Sequence, residues 1–143
     1  MINAELGHVK TLKEFHDEIT KQQTEAHGEG YNDIHKAIQK YMKDCNTYME
    51  LGTHQGGTAA AAMLAKPKNV ILVDIDMSRY YKFLSPIADK WCNENNINLT
   101  VKQCSSIELG SIANTDMLMI DSVHNPHHMN RELALHGGNV NKY

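Results

Sequence analysis

The stretch at residues 48–58, YMELGTHQGGT, decides the fold. Its first residues form a short apolar strand that reaches Gly52, and a polar loop follows that closes at Gly56 and Gly57. Glycines are needed where a chain turns at positive φ or where a ligand touches the backbone. The alanine-rich segment that follows is typical of a helix packed closely on a sheet, because alanine loses little entropy on folding. The stretch therefore predicts a strand, a glycine loop and a helix, with Thr58 as the N-cap of the helix.

The alternation of strand and helix patterns continues along the chain. The segment NVILVDID at residues 69–76 contains the apolar run VILV, as expected of a parallel strand covered on both faces. Two further strands are predicted at residues 99–104 and 116–120, and amphipathic helices are predicted at residues 11–23 and from Asn32 or Asp33 onward. This pattern predicts an α/β, doubly wound parallel sheet.

The amino-terminal part contains a predicted boundary. The polar segment AHGEG at residues 26–30 breaks the first helix and is predicted to be a linker or a mobile flap. Residues 1–30 are therefore set apart, as a helix and flexible linker, from a domain at residues 31–143. The second helix is predicted to carry its apolar side chains on one face, namely Ile34, Ala37, Ile38, Tyr41 and Met42.

The composition narrows the class of protein. The chain has 143 residues, which fits one domain with a real core, and its net charge of −3 disfavours a nucleic acid or an anionic membrane as partner. Cys45, Cys92 and Cys104 are widely spaced and odd in number, which suits reduced thiols that line a core or cavity. The chain shows neither a signal peptide nor an apolar run that spans a bilayer. We expect a soluble, cytoplasmic protein.

The loop residues indicate the kind of ligand. The spacing of Gly52, Gly56 and Gly57 differs from the GxGxxG pattern that seats a pyrophosphate at a helix start. Glu50, just before the first glycine, favours a cationic ligand over a phosphate. S-adenosylmethionine carries a sulfonium and an ammonium group and therefore suits this loop. Asp74 lies about twenty residues further on, where an acid can accept both ribose hydroxyls.

Together these residues resemble motifs I and II of the class I S-adenosylmethionine-dependent methyltransferases. The pattern MLMIDSVH at residues 117–124, with the charged segment after it, resembles the macrocin O-methyltransferase and cephalosporin hydroxylase-like group. Short methyltransferase-like proteins encoded by bacterial viruses are also similar. The resemblance implies a Rossmann-like sheet with strand order 3-2-1-4, truncated relative to the seven-stranded core of the family. The cofactor contacts that it implies are Glu50, Gly52, Thr53, Gly56, Gly57, Thr58, Asp74, Ile75, Ser105, Ser106 and Asp121.

Two positions, Ser105 and Tyr31, bear on how the chain would hold the cofactor. Ser105 stands where the family usually has an acid that receives the adenine amino group, and a serine can accept one hydrogen bond there. Adenine recognition is therefore expected to be weaker or to shift to backbone groups. In the family a helix precedes the first strand, and loops before it often cover the cofactor. Tyr31 is accordingly either a lid residue or a partly buried tyrosine at a helix start.

The resemblance also implies catalytic roles. The aspartate that matches Asp121 is a Mg²⁺ ligand, and the residue that matches His124 is the base that removes the acceptor's hydroxyl proton. The alternatives are a helix-capping acid for Asp121 and an exposed histidine for His124. A transition-metal site of His124 with His127 and His128 is a further alternative. The remaining Mg²⁺ ligands of the group come about thirty residues later, so the ligand set in this chain is incomplete.

The predicted function is methyl transfer from S-adenosylmethionine to a hydroxyl of a small molecule. One alternative is a cofactor-binding or assembly module without catalysis, and another is an enzyme that degrades S-adenosylmethionine without an acceptor. The apolar fourth strand, MLMI, would leave an open edge on the sheet. We therefore expect a homo-oligomer that covers this edge.

Overall fold

A computed structural model of the protein describes residues 4–107, 114–121 and 137–143. The helices are α1 (Leu12–His27), α2 (Gly30–Tyr41), α3 (Gly57–Leu64), α4 (Ser78–Phe83) and α5 (Ser85–Glu94), with short 3₁₀ turns at Met42–Asp44 and Gly137–Asn139. The strands are β1 (Thr47–Leu51), β2 (Asn69–Asp74), β3 (Asn98–Gln103) and β4 (Met117–Ile120). The second strand therefore ends at Asp74 and does not continue to residue 76.

The four strands form one parallel sheet in the order β3-β2-β1-β4. Met49 of β1 pairs with Ile71 of β2 on one side and with Leu118 of β4 on the other. The predicted α/β class and the order 3-2-1-4 are confirmed. Because the order reverses between β1 and β4, the carboxyl ends of these two strands flank the point where ligands bind in open α/β sheets.

The core lies between one face of the sheet and the helices. Tyr48 and Leu72 point to this face and are fully buried, and the four alanines of α3 at residues 59–62 are also fully buried there. Small side chains let α3 approach the sheet closely. The opposite face of β1 and β2 carries a second apolar cluster around Met49, Leu51 and Val73.

The amino-terminal helix belongs to the larger core. The Thr11 hydroxyl caps α1 by accepting a hydrogen bond from the Glu14 N–H at 3.1 Å. Phe15 and Ile19 then bury their side chains among residues of α3 and the sheet. The predicted division at residue 30 therefore crosses one hydrophobic core, and α1 and α2 are separated by Gly28 and Glu29 alone.

The buried face of α2 differs from the prediction. The helix begins at Gly30, and Ile38 and Met42 of the predicted face are buried. Ile34 and Tyr41 are instead 44% and 42% exposed, and His35 is buried. The helix takes this orientation because the His35 ring finds polar partners on α1, which offset the cost of burying an imidazole. Tyr41 instead stacks at the surface against Tyr143, with ring centroids 4.7 Å apart.

Three contacts fix the ends of the core elements. The indole N–H of Trp91 in α5 donates to the Met63 carbonyl in α3 at 2.9 Å. Thr115, just before β4, forms a parallel bridge with Val140 of the carboxyl-terminal segment. The Asp116 carboxylate accepts from the Asn46 N–H at 2.7 Å, which lowers the pKa of that side chain. The start of β1 is thereby tied to the start of β4.

Candidate functional site

The carboxyl ends of the strands meet at one rim of the sheet. The Asp121 N–H donates to the Leu51 carbonyl at 2.8 Å, and the Gly52 N–H donates to the Val73 carbonyl at 2.8 Å. The Cys104 N–H likewise donates to the Asp74 carbonyl at 3.0 Å. Because the ladder bonds continue just past the strand ends, the side chains that follow them are held side by side at this rim.

The glycine loop is a tight turn built on positive φ. Gly52 and Gly56 have φ of 91° and 96°, and His54 between them has φ of 53°. Glycine adopts this region without strain, whereas histidine does so only where its surroundings hold it. Asp74 supplies that hold, since its Oδ2 accepts from the N–H groups of Thr53 and His54, both at 2.9 Å.

The prediction that Thr58 caps α3 is wrong. The helix begins at Gly57, and the N-cap is Gly56 in the left-handed region, without a side-chain hydrogen bond. The Thr58 hydroxyl instead donates to Oε1 of Glu50. Thr58 therefore joins the helix to β1 through a side chain, because its hydroxyl faces the sheet from the first turn.

Glu50 is enclosed by protein. Its Oε1 also accepts from the Tyr48 hydroxyl at 2.8 Å, while its Oε2 is buried without a hydrogen bond to any described residue. Burial raises the pKa of the carboxyl to about 7, against the lowering effect of the Thr58 and Tyr48 hydroxyls. Because the side chain is fully buried, its direct contact with a cofactor stays a prediction.

An open cleft lies beside the glycine loop, beyond β2 and β3. Its lining residues are Gly52, His54, Val73, Asp74, Ile75, Asp76, Arg79, Cys104, Ser105 and Ser106. Five of the predicted cofactor contacts are among them, namely Gly52, Asp74, Ile75, Ser105 and Ser106. Ile75 is 72% exposed, so the cleft offers an apolar surface next to the Asp74 carboxylate. The structure thus brings these five residues together in one cleft.

The remaining predicted residues lie on the other side of the loop or outside the described residues. Thr53, Gly56, Gly57 and Thr58 form the loop and the first turn of α3 and are buried. Asp121 follows β4 and is close enough to Glu50 to raise its pKa further. His124, together with His127 and His128, lies outside the described residues.

The described donor set does not fit a metal ion. Within residues 4–107, 114–121 and 137–143, no three His, Cys, Asp or Glu side chains form a group that could hold one. Asp121 has Glu50 as an acidic neighbour, but that carboxyl is engaged by two hydroxyls. We therefore derive no catalytic step through Mg²⁺.

The buried His35 and the partly buried His16 pair where α2 packs against α1. His35 in α2 is 1% exposed, and its Nδ1 lies 2.8 Å from Nε2 of His16 and 3.3 Å from the Thr20 hydroxyl, both in α1. Burial, with a smaller effect of His16, lowers the pKa of His35 to about 3. The Tyr31 ring packs on His35 with a centroid distance of 4.5 Å. Both histidines are therefore neutral at pH 7.

Several of these residues were not predicted from the sequence. His54 and Arg79 line the cleft, and His16 contacts His35, which lies near Gly57 at the start of α3. A signal for His35 exists, because His35, Ile38 and Met42 recur at helical spacing and are all buried. The positions of His54 and Arg79 depend on the loop and on α4, for which the sequence holds no comparable pattern.

No helix in the described part of the chain is long and apolar enough to cross a membrane. No protein-family model matches the sequence, and no curated protein matches it either.

Solved structures do match the fold. One is a protein from Pyrococcus horikoshii assigned as an RNA methyltransferase, with a TM-score of 0.52 and 14% identity over 74% of this chain and 56% of that chain. Another, from Klebsiella pneumoniae and assigned as an O-methyltransferase, has a TM-score of 0.50 and 18% identity over 73% of this chain and 50% of that chain. An O-methyltransferase from Bacillus cereus in complex with SAH has a TM-score of 0.47 and 16% identity, over 72% and 49% of the two chains.

The chain thus spans about half the length of the solved structures that it matches. At these identities the similarity concerns the fold alone. The four-stranded parallel sheet of this chain is the Rossmann-like fold of these methyltransferase structures.

Proposed function

We propose that this chain binds S-adenosylmethionine in the cleft beside the glycine loop and takes part in methyl transfer to a hydroxyl of a small molecule. The observation that carries the proposal is the position of Asp74. Its carboxylate holds the glycine loop and lines the cleft next to the exposed Ile75. The fold similarity to methyltransferase structures supports the same function.

The cleft suits the adenosine part of this cofactor. An ionised carboxylate has about four acceptor sites, and Asp74 uses three of them for the N–H groups of Thr53, His54 and Asp76. A ribose hydroxyl can take the remaining site, which is one fewer than the sequence-based prediction of both hydroxyls. Ile75 offers an apolar surface for the adenine ring, and Ser105 and Ser106 offer polar groups at its edge.

The charges near the loop favour a cation over a phosphate. Asp74 lines the cleft, whose lining includes one cation, Arg79, and Asp121 follows β4. A sulfonium or ammonium group is attracted by such carboxyl groups, whereas a pyrophosphate is repelled. This distribution supports S-adenosylmethionine over a dinucleotide, and the net charge of −3 supports a small acceptor over a nucleic acid.

The reaction that we propose is a direct displacement. The acceptor oxygen forms a bond to the methyl carbon as the carbon–sulfur bond breaks, which leaves S-adenosylhomocysteine. The hydroxyl proton goes to His124, and Asp121 orients the acceptor at the end of β4. The sequence pattern at residues 117–124 supports the role of His124, and it also supports a relation to the macrocin O-methyltransferase group and to short phage-encoded proteins.

Product analysis separates this function from its alternatives. S-Adenosylhomocysteine as the product indicates methyl transfer, and methylthioadenosine indicates degradation of the cofactor. Binding of the cofactor without either product indicates a binding or assembly module.

The cofactor site is tested by replacing Asp74. We expect the wild-type chain to bind S-adenosylhomocysteine with a Kd in the micromolar range, on the order of −7 to −8 kcal/mol. Asp74→Asn should weaken binding by roughly 1 to 3 kcal/mol, because the amide keeps one oxygen for the loop but loses the charged acceptor for ribose. Isothermal titration calorimetry measures both values.

Asp76→Asn is the matched control, since Asp76 also lines the cleft but its carboxylate caps the start of α4 through the Ser78 N–H at 2.9 Å. Its affinity should stay close to that of the wild type. A wild-type chain that binds NAD but neither S-adenosylmethionine nor S-adenosylhomocysteine would contradict the proposed function.

We also propose that the chain forms a homo-oligomer through β4. Leu118, Met119 and Ile120 are only partly buried, and among the described residues β4 is paired along its length with β1 alone. An apolar strand edge is normally covered in a stable protein. Light scattering at high micromolar concentration should show an oligomer, and Leu118→Lys should shift it towards monomer. A wild-type chain that stays monomeric at that concentration would contradict this.

A further inference from the structure

Gly57 leaves a notch that a residue of another helix fills. Unlike Gly52 and Gly56, Gly57 has a backbone conformation that any residue adopts, and alanine is the better helix former. A methyl group at this position would overlap the Tyr31 hydroxyl and would lie 3.4 Å from Cε1 of His35. The absence of a side chain at residue 57 is therefore explained by Tyr31 and not by the backbone.

His35 holds the Tyr31 side chain in this notch. The Tyr31 ring packs on His35, which is buried and contacts His16 of α1. The Tyr31 phenol is neutral, because burial raises its pKa and the nearby carboxyls of Glu50 and Asp121 raise it further. The hydroxyl of an α2 residue thus lies where the first turn of α3 meets the ends of β1 and β4.

We propose that Tyr31 is a positioning residue of the cofactor site, which seats its hydroxyl in the Gly57 notch and so fixes the first turn of α3 against the strand ends. The consequence reaches Glu50, because Thr58, next to Gly57, donates its hydroxyl to that carboxyl. Displacing Tyr31 moves the turn that carries Thr58 and the glycine loop before it. This inference rests on the proposed function, since it gives Tyr31 a role in cofactor binding.

The test uses one substitution that fills the notch and a second that removes the resulting overlap. Gly57→Ala should push the Tyr31 hydroxyl out of the notch and weaken S-adenosylhomocysteine binding by about tenfold, a size of coupling usual for residues in contact. Tyr31→Phe in the Gly57→Ala chain removes the overlapping oxygen and should restore most of the affinity. Gly30→Ala is the matched control, because it lies in the first turn of α2 with an ordinary φ and no atom within 4 Å of the added methyl group.

Hydrogen exchange of the α2 amides measures the contact between Tyr31 and Gly57 without a ligand. Gly57→Ala should speed exchange of the α2 amides, and the added Tyr31→Phe change should slow it again. If Gly57→Ala fails to fold, a folded double variant supports the inference and an unfolded one overturns it. Unchanged α2 exchange in Gly57→Ala, with affinity equal to that of the wild type, also overturns it. If the wild-type chain does not bind S-adenosylhomocysteine, the proposed function is contradicted. The exchange of the α2 amides still tests whether Tyr31 fixes the first turn of α3.

Discussion

The Glu50→Gln variant should lose stability steadily as the pH falls from 6.5 to 4.5, whereas the wild-type chain should change much less over that range. Two buried groups act in opposite directions there. His35 has a folded pKa of about 3 and an ordinary value of 6.5, so the unfolded chain binds a proton first as the pH falls. Its contribution to stability is therefore lost as the pH falls below 6.5.

Glu50 changes stability in the opposite direction with pH. Its folded pKa is about 7 and its ordinary value is 4.5, so between these values the folded chain holds a proton that the unfolded chain releases. Stability from Glu50 therefore falls as the pH rises from 4.5 to 7, which offsets the gain from His35. Glutamine keeps an oxygen for the Tyr48 and Thr58 hydroxyls but cannot titrate, so the His35 effect is no longer offset. Burial also lowers the pKa of His16, which adds to the loss of stability in the same direction.

The expected change in the free energy of unfolding is large for a single substitution. One pKa unit corresponds to about 1.4 kcal/mol, so the free energy of unfolding of Glu50→Gln should fall by about 3 kcal/mol relative to the wild type between pH 6.5 and 4.5. Urea unfolding at closely spaced pH values measures it. The matched variant His35→Gln should show the reverse slope, with stability lost as the pH rises through the same range. Parallel pH profiles for Glu50→Gln and the wild type would show that Glu50 is not protonated in the folded chain.

His124→Ala should lower turnover by about 10²- to 10⁴-fold, with the affinity for S-adenosylhomocysteine nearly unchanged. A general base acts on the acceptor's proton in the transition state and does not contribute to binding of the cofactor. The measurement is transfer of a labelled methyl group to a hydroxylated acceptor, alongside calorimetry with S-adenosylhomocysteine. His124 follows Asp121 by three residues, which is the basis for its role.

His127→Ala is the control for this prediction, because it removes an imidazole from the same histidine-rich segment. It should leave turnover within a few-fold of the wild type if His124 alone is the base. Equal losses in both variants would contradict a single base at His124. A turnover that is unchanged in His124→Ala would exclude this residue from proton transfer.

Much of the fold was predictable because its signals are local. The apolar run of β2 and the glycines that follow β1 mark a βα unit by themselves, and the alternation along the chain gives the α/β class. The strand order came from the family resemblance and agrees with the structure. The positions of Asp74, Ile75 and Ser105 in one cleft follow from the same reasoning, because the ends of parallel strands share a rim.

Other features depend on pairings between distant residues. The sequence around Thr58 fits an N-cap, but its hydroxyl bonds to Glu50 because α3 lies against β1. The apolar face assigned to α2 was right at Ile38 and Met42, which are buried, but wrong at Ile34 and Tyr41, which are exposed. His35 is buried instead, in contact with His16 and Thr20 on another helix. Glu50 lies more than one helical turn from Thr58 in the sequence, and His16 and Thr20 lie more than one turn from His35. Periodicity alone therefore does not reveal these contacts.

The contact between Trp91 and α3 makes Trp91 an intrinsic fluorescence probe of this part of the fold. Trp91 is the one tryptophan of the sequence, and its indole N–H is bound to the last turn of the helix whose first turn holds the glycine loop. Indole emission shifts in colour and intensity when this hydrogen bond and its partly buried surroundings change. Cofactor binding and the effects of changes at residues 31 and 57 can therefore be followed by the fluorescence of the unlabelled protein.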